Sequence, residues 1–103
     1  MNFEFSKNNS REQPIRFLLG QIVATPGALD LLDRTATNAL ALLQRHQRGD
    51  WGDVHEDDAR ANAEAVVLGF RILSSYTLGA GERLWLITEA DRSVTTLLLP
   101  AEY

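Results

Sequence analysis

The chain contains no cysteine, which excludes disulfide bonds and thiolate metal ligands. No apolar run approaches the roughly 18 residues that a membrane-spanning helix needs, so we expect no membrane partner. The N-terminus has no basic segment followed by an apolar one, which argues against a secretory signal and for a cytoplasmic protein. Positive charge is also scarce, and the formal charge of −4 argues against broad nucleic-acid binding. This net charge does not exclude a local basic patch.

What is present fits one folded domain. The 103 residues are 45% apolar, an ordinary value for a globular chain with a modest core. The polar residues 1–13 show no period and predict a flexible arm, while residues 14–103 form the domain. Phe3 and Phe5 alternate with polar residues, so an additional edge strand within this arm is an alternative prediction.

Three consecutive strands are predicted in the last third of the chain. Residues 71–78, 83–89 and 94–99 are rich in β-branched, aromatic and leucine side chains. The short turns at 79–81 and 90–93 make neighbouring strands antiparallel. The middle strand is apolar on both faces, as expected for a central strand covered on both sides.

The upstream segments must supply that cover. The apolar residues 17–24 predict a buried strand in which Gly20 marks a bulge or a close approach. Thr25 and Pro26 begin a first helix. Thr35 or Thr37 is expected to cap a second helical segment, which Gly49 ends. The residues expected to be buried are Ala28, Leu29 and Leu32 in the first helix and Ala36, Ala39, Leu40 and Leu43 in the second.

A third helix follows, with Asp53 and Glu56 as a capping-box-like start. It should end at Gly69 and bury Ala59, Ala63 and Val66. The resulting order is β-α-α-α-β-β-β. We therefore predict an α+β fold with helices packed on a four-stranded, mainly antiparallel sheet.

The loop between the second and third helices is the main candidate binding element. Asp50, Trp51 and Asp53 lie there beside Gly49 and Gly52. A tryptophan in such a loop either covers the edge of the core or stands exposed as an interface anchor. On the second interpretation these three residues bind a protein partner, and both interpretations remain open.

Chemistry-bearing residues elsewhere are sparse. His55 and Asp58 have the one-turn spacing of metal ligands, but no third ligand is evident, so we predict no metal and no cofactor. An alternative catalytic set exists if the strands bring basic, aromatic and acidic side chains together on one face. That set comprises Arg71, Tyr76, Arg83, Glu89 and Arg92.

Four segments resemble a known group of short proteins from bacterial plasmids and integrated mobile elements. They are LGQIVATPGAL (19–29), RHQRGDWG (45–52), WLITEADRSVTT (85–96) and LPAEY (99–103). Members are often labelled "plasmid-related protein" or "type I restriction endonuclease subunit M". The resemblance covers about residues 17–103 and implies a mobile-element context without an established activity. The methylase-like label does not fit, because no glycine loop of a doubly wound cofactor-binding sheet is present.

The predicted architecture also resembles that of RelE/ParE-like toxins, some of which are ribosome-dependent ribonucleases. The acidic composition departs from those basic proteins. We therefore expect a non-enzymatic accessory protein that binds a protein partner, with a host-defence antagonist as one form of that role. The alternative is a toxin-type ribonuclease or RNA-binding protein. The sequence is also compatible with a homodimer.

Overall fold

The computed structural model describes residues 13–103. Its strands and helices are, in chain order, β1 (Gln21–Ala24), α1 (Pro26–Arg34), α2 (Ala39–Gln47), α3 (Glu56–Leu68), β2 (Ile72–Thr77), β3 (Arg83–Thr88) and β4 (Val94–Leu98). The predicted α+β class and order of elements are confirmed. Except for Gln13, the predicted arm lies outside the described residues, as does the strand proposed at Phe3 and Phe5. Within residues 13–103, no helix has the length and apolar character needed to cross a membrane.

The four strands form one sheet in the order β1-β4-β3-β2. The short turns pair β2 with β3 and β3 with β4 in antiparallel fashion, as predicted. β1 pairs with β4 in parallel, an arrangement that the long connection of three helices and two strands between them permits. The sheet is therefore mainly antiparallel, with β1 and β2 at its two edges.

Helices α1 and α2 cover one face of this sheet. The buried cluster between these layers contains Ala28, Leu31, Leu32, Leu42, Leu43, Tyr76, Leu84, Leu86 and Leu97. The opposite face is covered in part, because Trp85 of β3 packs edge-on against Tyr103 with ring centroids 5.7 Å apart. The prediction that β3 is an internal strand, apolar on both faces, is confirmed.

The buried strand predicted over 17–24 is wrong in extent and in burial. Only Gln21–Ala24 is a strand, and Ile22 is 48% exposed. Gly20 interrupts the extended run with a φ of +67°, and a Cβ there would lie 2.3 Å from the Ser93 carbonyl oxygen. The close approach predicted at Gly20 is thus confirmed, while the segment before it loops so that Phe17 enters the core.

Helices α1 and α2 lie where they were predicted, and Ala28, Leu32 and Leu43 are buried as predicted, but one predicted leucine of each helix is not. In α1, Leu31 is buried and Leu29 is exposed; in α2, Leu42 is buried and Leu40 is exposed. The predicted caps at Thr35 or Thr37 are also wrong. Asn38 caps α2 by accepting a hydrogen bond from the Leu40 amide, because both threonines instead close the end of α1. Ala36 lies in that intervening turn, and Ala39 is half-buried.

Helix α3 runs to Leu68 and ends at Gly69 in the left-handed region, as predicted. Its fully buried residues are Asn62 and Ala65; the predicted Ala59 and Val66 are partly buried against the cluster that contains Ala65, and the predicted Ala63 is exposed. The Asp53–Glu56 capping box is not formed. His55 occupies the N-cap position without a side-chain bond, because Asp53 is held against β2 instead.

Candidate functional site

The loop Asp50–Asp53 packs against β2 rather than projecting from the surface. The Trp51 indole is only 8% exposed and stacks near Phe17, with ring centroids 6.3 Å apart. It also meets the His46 ring edge-on at 6.1 Å. The interpretation of Trp51 as an exposed interface anchor is therefore wrong, because the indole completes the smaller core cluster under α3.

The backbone of this loop closes the outer edge of β2. The Ser75 amide donates to the Trp51 carbonyl at 3.0 Å, and the Asp53 amide donates to the Ser75 carbonyl at 2.6 Å. Two residues earlier on β2, the Leu73 amide donates to the Asn62 side chain of α3. The same side chain donates to the Leu73 carbonyl. These contacts satisfy edge groups that would otherwise pair with another chain.

The other edge of the sheet, at β1, has no neighbouring strand among residues 13–103. Gln21 and Thr25 donate backbone hydrogen bonds to carbonyls of the β4 segment, at 2.9 and 3.0 Å. Because successive peptide groups alternate in direction along a strand, the peptide groups of Ile22 and Ala24 point away from β4. Within residues 13–103, no strand pairs with this side of β1. The β1 side chains of Ile22 and Val23 are both substantially exposed.

The alternative catalytic set is divided between two ends of the sheet. Arg71 and Glu89 form an ion pair at one end, with a guanidinium nitrogen 3.2 Å from a carboxylate oxygen. Arg83 begins β3 at the other end, roughly 20 Å from Glu89 along the strand. Tyr76 lies on the helix-covered face, 2% exposed, and burial raises the pKa of its hydroxyl to about 12. A phenol in this state is a poor general base at neutral pH.

Arg92 fastens the end of α3 to the sheet. Its guanidinium donates to the carbonyls of Ala65 and Phe70, at 2.8 and 2.7 Å, and to that of Glu89 at 3.2 Å. The Ala65 carbonyl, in the last turn of α3, also accepts hydrogen bonds from the amides of Gly69 and Phe70. Arg92 therefore has a structural role, and the structure does not unite the five residues of the alternative set.

A buried polar chain that the sequence did not indicate runs through the centre of the fold. His46 of α2 is fully buried, with its two ring nitrogens 2.6 Å from the Ser74 hydroxyl and 2.9 Å from the Thr88 hydroxyl. Thr88 contacts the Thr95 hydroxyl at 2.7 Å, and Thr95 donates to the Leu19 carbonyl at 2.7 Å. The chain thus joins α2, three strands and the segment before β1.

The direction of these hydrogen bonds follows from the last acceptor in the series, the Leu19 carbonyl. The Leu19 carbonyl can only accept, so the Thr95 hydroxyl donates to it and must accept from Thr88. Thr88 has then used its proton and accepts from Nε2 of His46. Nε2 of His46 therefore carries a proton. Burial and the nearby Arg92 charge lower the pKa of His46 to about 4, so the ring is neutral at pH 7 and this proton is its only one.

His55 and Asp58 have the spacing of metal ligands, although the sequence predicts no metal there. Both residues line a surface cavity of about 400 Å³ together with Arg83 and Trp85. Among residues 13–103, no group of three or more metal-binding side chains is assembled. Ser75 also lines this cavity, and its hydroxyl oxygen is buried without a hydrogen-bond partner among the described residues.

Asp50, one of the predicted binding residues, lies in a second pocket of about 360 Å³ beside α2. We call this the arginine pocket; the residues that define it are Gln13, Arg16, Gln44, Arg45, Arg48 and Asp50. Arg45 and Arg48 are three residues apart at the end of α2, so their shared side of the helix was readable from the sequence. The contribution of Arg16, from a loop 29 residues earlier, was not.

Two of the pocket residues are held in place. The Arg45 Nε donates to an Asp50 carboxylate oxygen at 2.7 Å, and the guanidinium carbon lies 4.5 Å from the centre of the Tyr76 ring. The hydrogen bond from Arg45 is the main cause that lowers the pKa of Asp50, which keeps this carboxylate ionised. The Arg16 guanidinium lies against Gly49, where a Cβ would approach its carbon to 2.8 Å.

Comparison with known proteins gives no assignment: no protein-family model, no curated protein and no solved structure matches the chain.

Proposed function

We propose that the chain is a non-enzymatic accessory protein of a bacterial mobile element, acting in the cytoplasm by binding a protein partner. The resemblance of four segments to plasmid proteins is the reason for the mobile-element context. The observation that carries the binding role is the contrast between the two sheet edges. The edge at β2 is closed by Asn62 and the Trp51 loop, whereas no strand among residues 13–103 pairs with the outer side of β1.

An extended segment of the partner fits this edge best. Its backbone would pair with the outward peptide groups of Ile22 and Ala24 and extend the sheet by one strand. The exposed side chains of Ile22 and Val23, on opposite faces of the strand, would add apolar contacts. The proposal names no catalytic residue, which agrees with the separation of the five candidates.

The test removes one backbone donor from the edge. In Ile22→Pro the outward amide is lost, while the amides of Gln21 and Thr25 that bind the β4 segment are kept. Ile22→Ala is the matched control, because it shortens the same side chain and retains the amide. Each variant is immobilised and used to capture proteins from a bacterial host lysate, followed by mass spectrometry.

We expect a partner that the parent and Ile22→Ala retain and Ile22→Pro loses. In the purified complex, hydrogen exchange at the amides of Ile22 and Ala24 should slow relative to the free protein. A partner captured equally by all three proteins, with unchanged exchange at these amides, would show that binding does not use β1. Cleavage of RNA by the purified chain in the presence of ribosomes would instead support the toxin-type ribonuclease.

A further inference from the structure

The arginine pocket concentrates positive charge on an acidic protein. Among residues 13–103, Arg16, Arg45 and Arg48 face a single carboxylate, that of Asp50, so this lining carries two more positive than negative charges. The whole chain has a formal charge of −4, so this surplus is local. Because Asp50 is bound bidentately by Arg45, at 2.7 and 3.3 Å, the surplus resides on Arg16 and Arg48.

We propose that the arginine pocket binds the phosphate group of a small phosphomonoester. A phosphomonoester carries a charge of about −1.5 to −2 at neutral pH, which matches the surplus of two. Its three terminal oxygens suit the planar forks of two guanidinium groups. A carboxylate ligand carries one charge and two oxygens, and would leave one arginine unmatched.

A buried donor supports this assignment. The Arg48 Nε is buried and has no hydrogen-bond partner among the described residues. A buried donor without an acceptor is unfavourable by about 1–3 kcal/mol, so native structures rarely retain one. An oxyanion that enters beside Arg48 supplies acceptor oxygens in the immediate surroundings of this group.

The pocket is also organised before any ligand arrives. Asp50 and the Tyr76 ring fix Arg45, and the Tyr76 hydroxyl in turn donates to the Asp50 carbonyl at 2.6 Å. The Arg16 amide donates to the Gln47 carbonyl at 2.9 Å, which fixes the backbone that carries this guanidinium. Side chains already held in position lose less entropy on binding.

The remaining walls favour a small polar ligand over a nucleic-acid strand. A volume of about 360 Å³ exceeds that of phosphate alone and falls in the range of small-molecule sites. The amides of Gln13 and Gln44 can bind hydroxyl groups, and among residues 13–103 no aromatic side chain on which a base could stack lines the pocket. Sugar phosphates and nucleoside monophosphates share the recognised group.

The test uses the full chain and isothermal titration calorimetry with ribose 5-phosphate, adenosine monophosphate, inorganic phosphate and unphosphorylated ribose. We expect saturable binding of one or both phosphomonoesters, weaker binding of inorganic phosphate and none of ribose. Arg48→Gln should weaken binding at least tenfold, and Arg48→Lys should lie between it and the parent, because the charge remains but the fork is lost. Arg16→Gln, at an exposed position, provides a second variant that does not depend on the partly buried Arg48.

Arg60→Gln is the matched control, because it removes the same charge from an exposed arginine of α3 that pairs with Asp57. It should bind like the parent. The proposal is overturned if no phosphomonoester binds at millimolar concentration, or if Arg48→Gln and Arg16→Gln bind as well as Arg60→Gln. It is also overturned if a short single-stranded RNA binds more tightly than either monoester and depends on these arginines. Ile22→Pro should leave phosphomonoester binding unchanged, so this test and that of strand addition fail separately.

Discussion

Mild acid should destabilise this protein through a single buried side chain. The pKa of His46 is about 4 in the folded chain, against an ordinary value of 6.5. The unfolded chain therefore binds a proton at this residue more readily between these two values. The free energy of unfolding is fully maintained above about pH 6.5 and falls as the pH drops towards 4.

The magnitude follows from the width of this window. The full difference corresponds to about 3 kcal/mol, since one pKa unit equals about 1.4 kcal/mol. Between pH 7 and pH 5 we expect a loss of about 2 kcal/mol. That is a large share of the roughly 5–15 kcal/mol that stabilises a typical domain. Asp50 contributes at lower pH, because its pKa is depressed below an ordinary value of 3.8.

Urea unfolding at pH 7 and pH 5, followed by tryptophan fluorescence, measures the effect. In His46→Gln the ring is replaced by a side chain that does not titrate, so the variant should be less stable at pH 7 but nearly insensitive to pH between these values. His55→Asn is the control, because it removes the exposed histidine and leaves the buried chain intact. It should show the same loss as the parent.

The reasoning is refuted if the parent and His46→Gln lose equal stability between pH 7 and pH 5. An independent measurement uses the ¹⁵N shifts of the imidazole ring, which distinguish the two neutral forms and the protonated form. At pH 6 we expect a neutral His46 with the proton on Nε2, as the acceptor at Leu19 requires. A neutral ring with its proton on Nδ1 would contradict the direction assigned to the hydrogen bonds between His46 and Leu19, and a doubly protonated ring at pH 6 would contradict the lowered pKa.

Two substitutions test how the closed sheet edge is held. Asn62→Ala should lower the free energy of unfolding by about 1–3 kcal/mol, because the Leu73 amide and carbonyl lose their partner; Glu64→Ala, on an exposed face of the same helix, should have little effect. Trp51→Ala should cost about 3–5 kcal/mol, because the indole packs on Phe17 inside a buried cluster. Urea unfolding measures both, and near-parental stability of either variant would contradict the corresponding packing.

The three later strands were predictable because their signals are local. Alternating apolar residues and turn formers fix β2, β3 and β4 without knowledge of the rest of the chain. β1 differs, since an apolar run at 17–24 has the same composition whether it is a buried strand or a loop followed by an exposed edge. Its partner, β4, lies more than 70 residues later, and the turns alone do not indicate a parallel pairing between them.

The helix stripes show a second limit. In α1, Leu29 and Leu31 are both apolar, and either can complete a face with Leu32. Leu40 and Leu42 offer the same choice in α2. Burial selects Leu31 and Leu42, because the packing of each helix on the sheet, rather than its own periodicity, fixes its rotation.

The candidate sites were less predictable because they depend on tertiary contacts. A tryptophan between glycines gives the same local pattern whether it closes an edge or anchors a partner, and only its contact with Phe17 decides. His46 lies in a polar stretch, and nothing local marks it as the centre of a buried chain. The arginine pocket joins Arg16 to Arg45 and Arg48 across 29 residues of sequence.

The buried hydrogen bonds between His46 and Leu19 also determine which variants can test the two proposed binding surfaces, the β1 edge and the arginine pocket. His46 lies on α2 between Arg45 and Arg48, and its hydrogen-bonded chain ends at Leu19, two residues before β1 begins. A His46 variant would therefore release α2 and the segment that leads into β1 together. Lost binding in such a variant would assign a role to neither surface. Ile22→Pro and Arg48→Gln lie outside the chain, so each changes one surface while His46 continues to hold both in place.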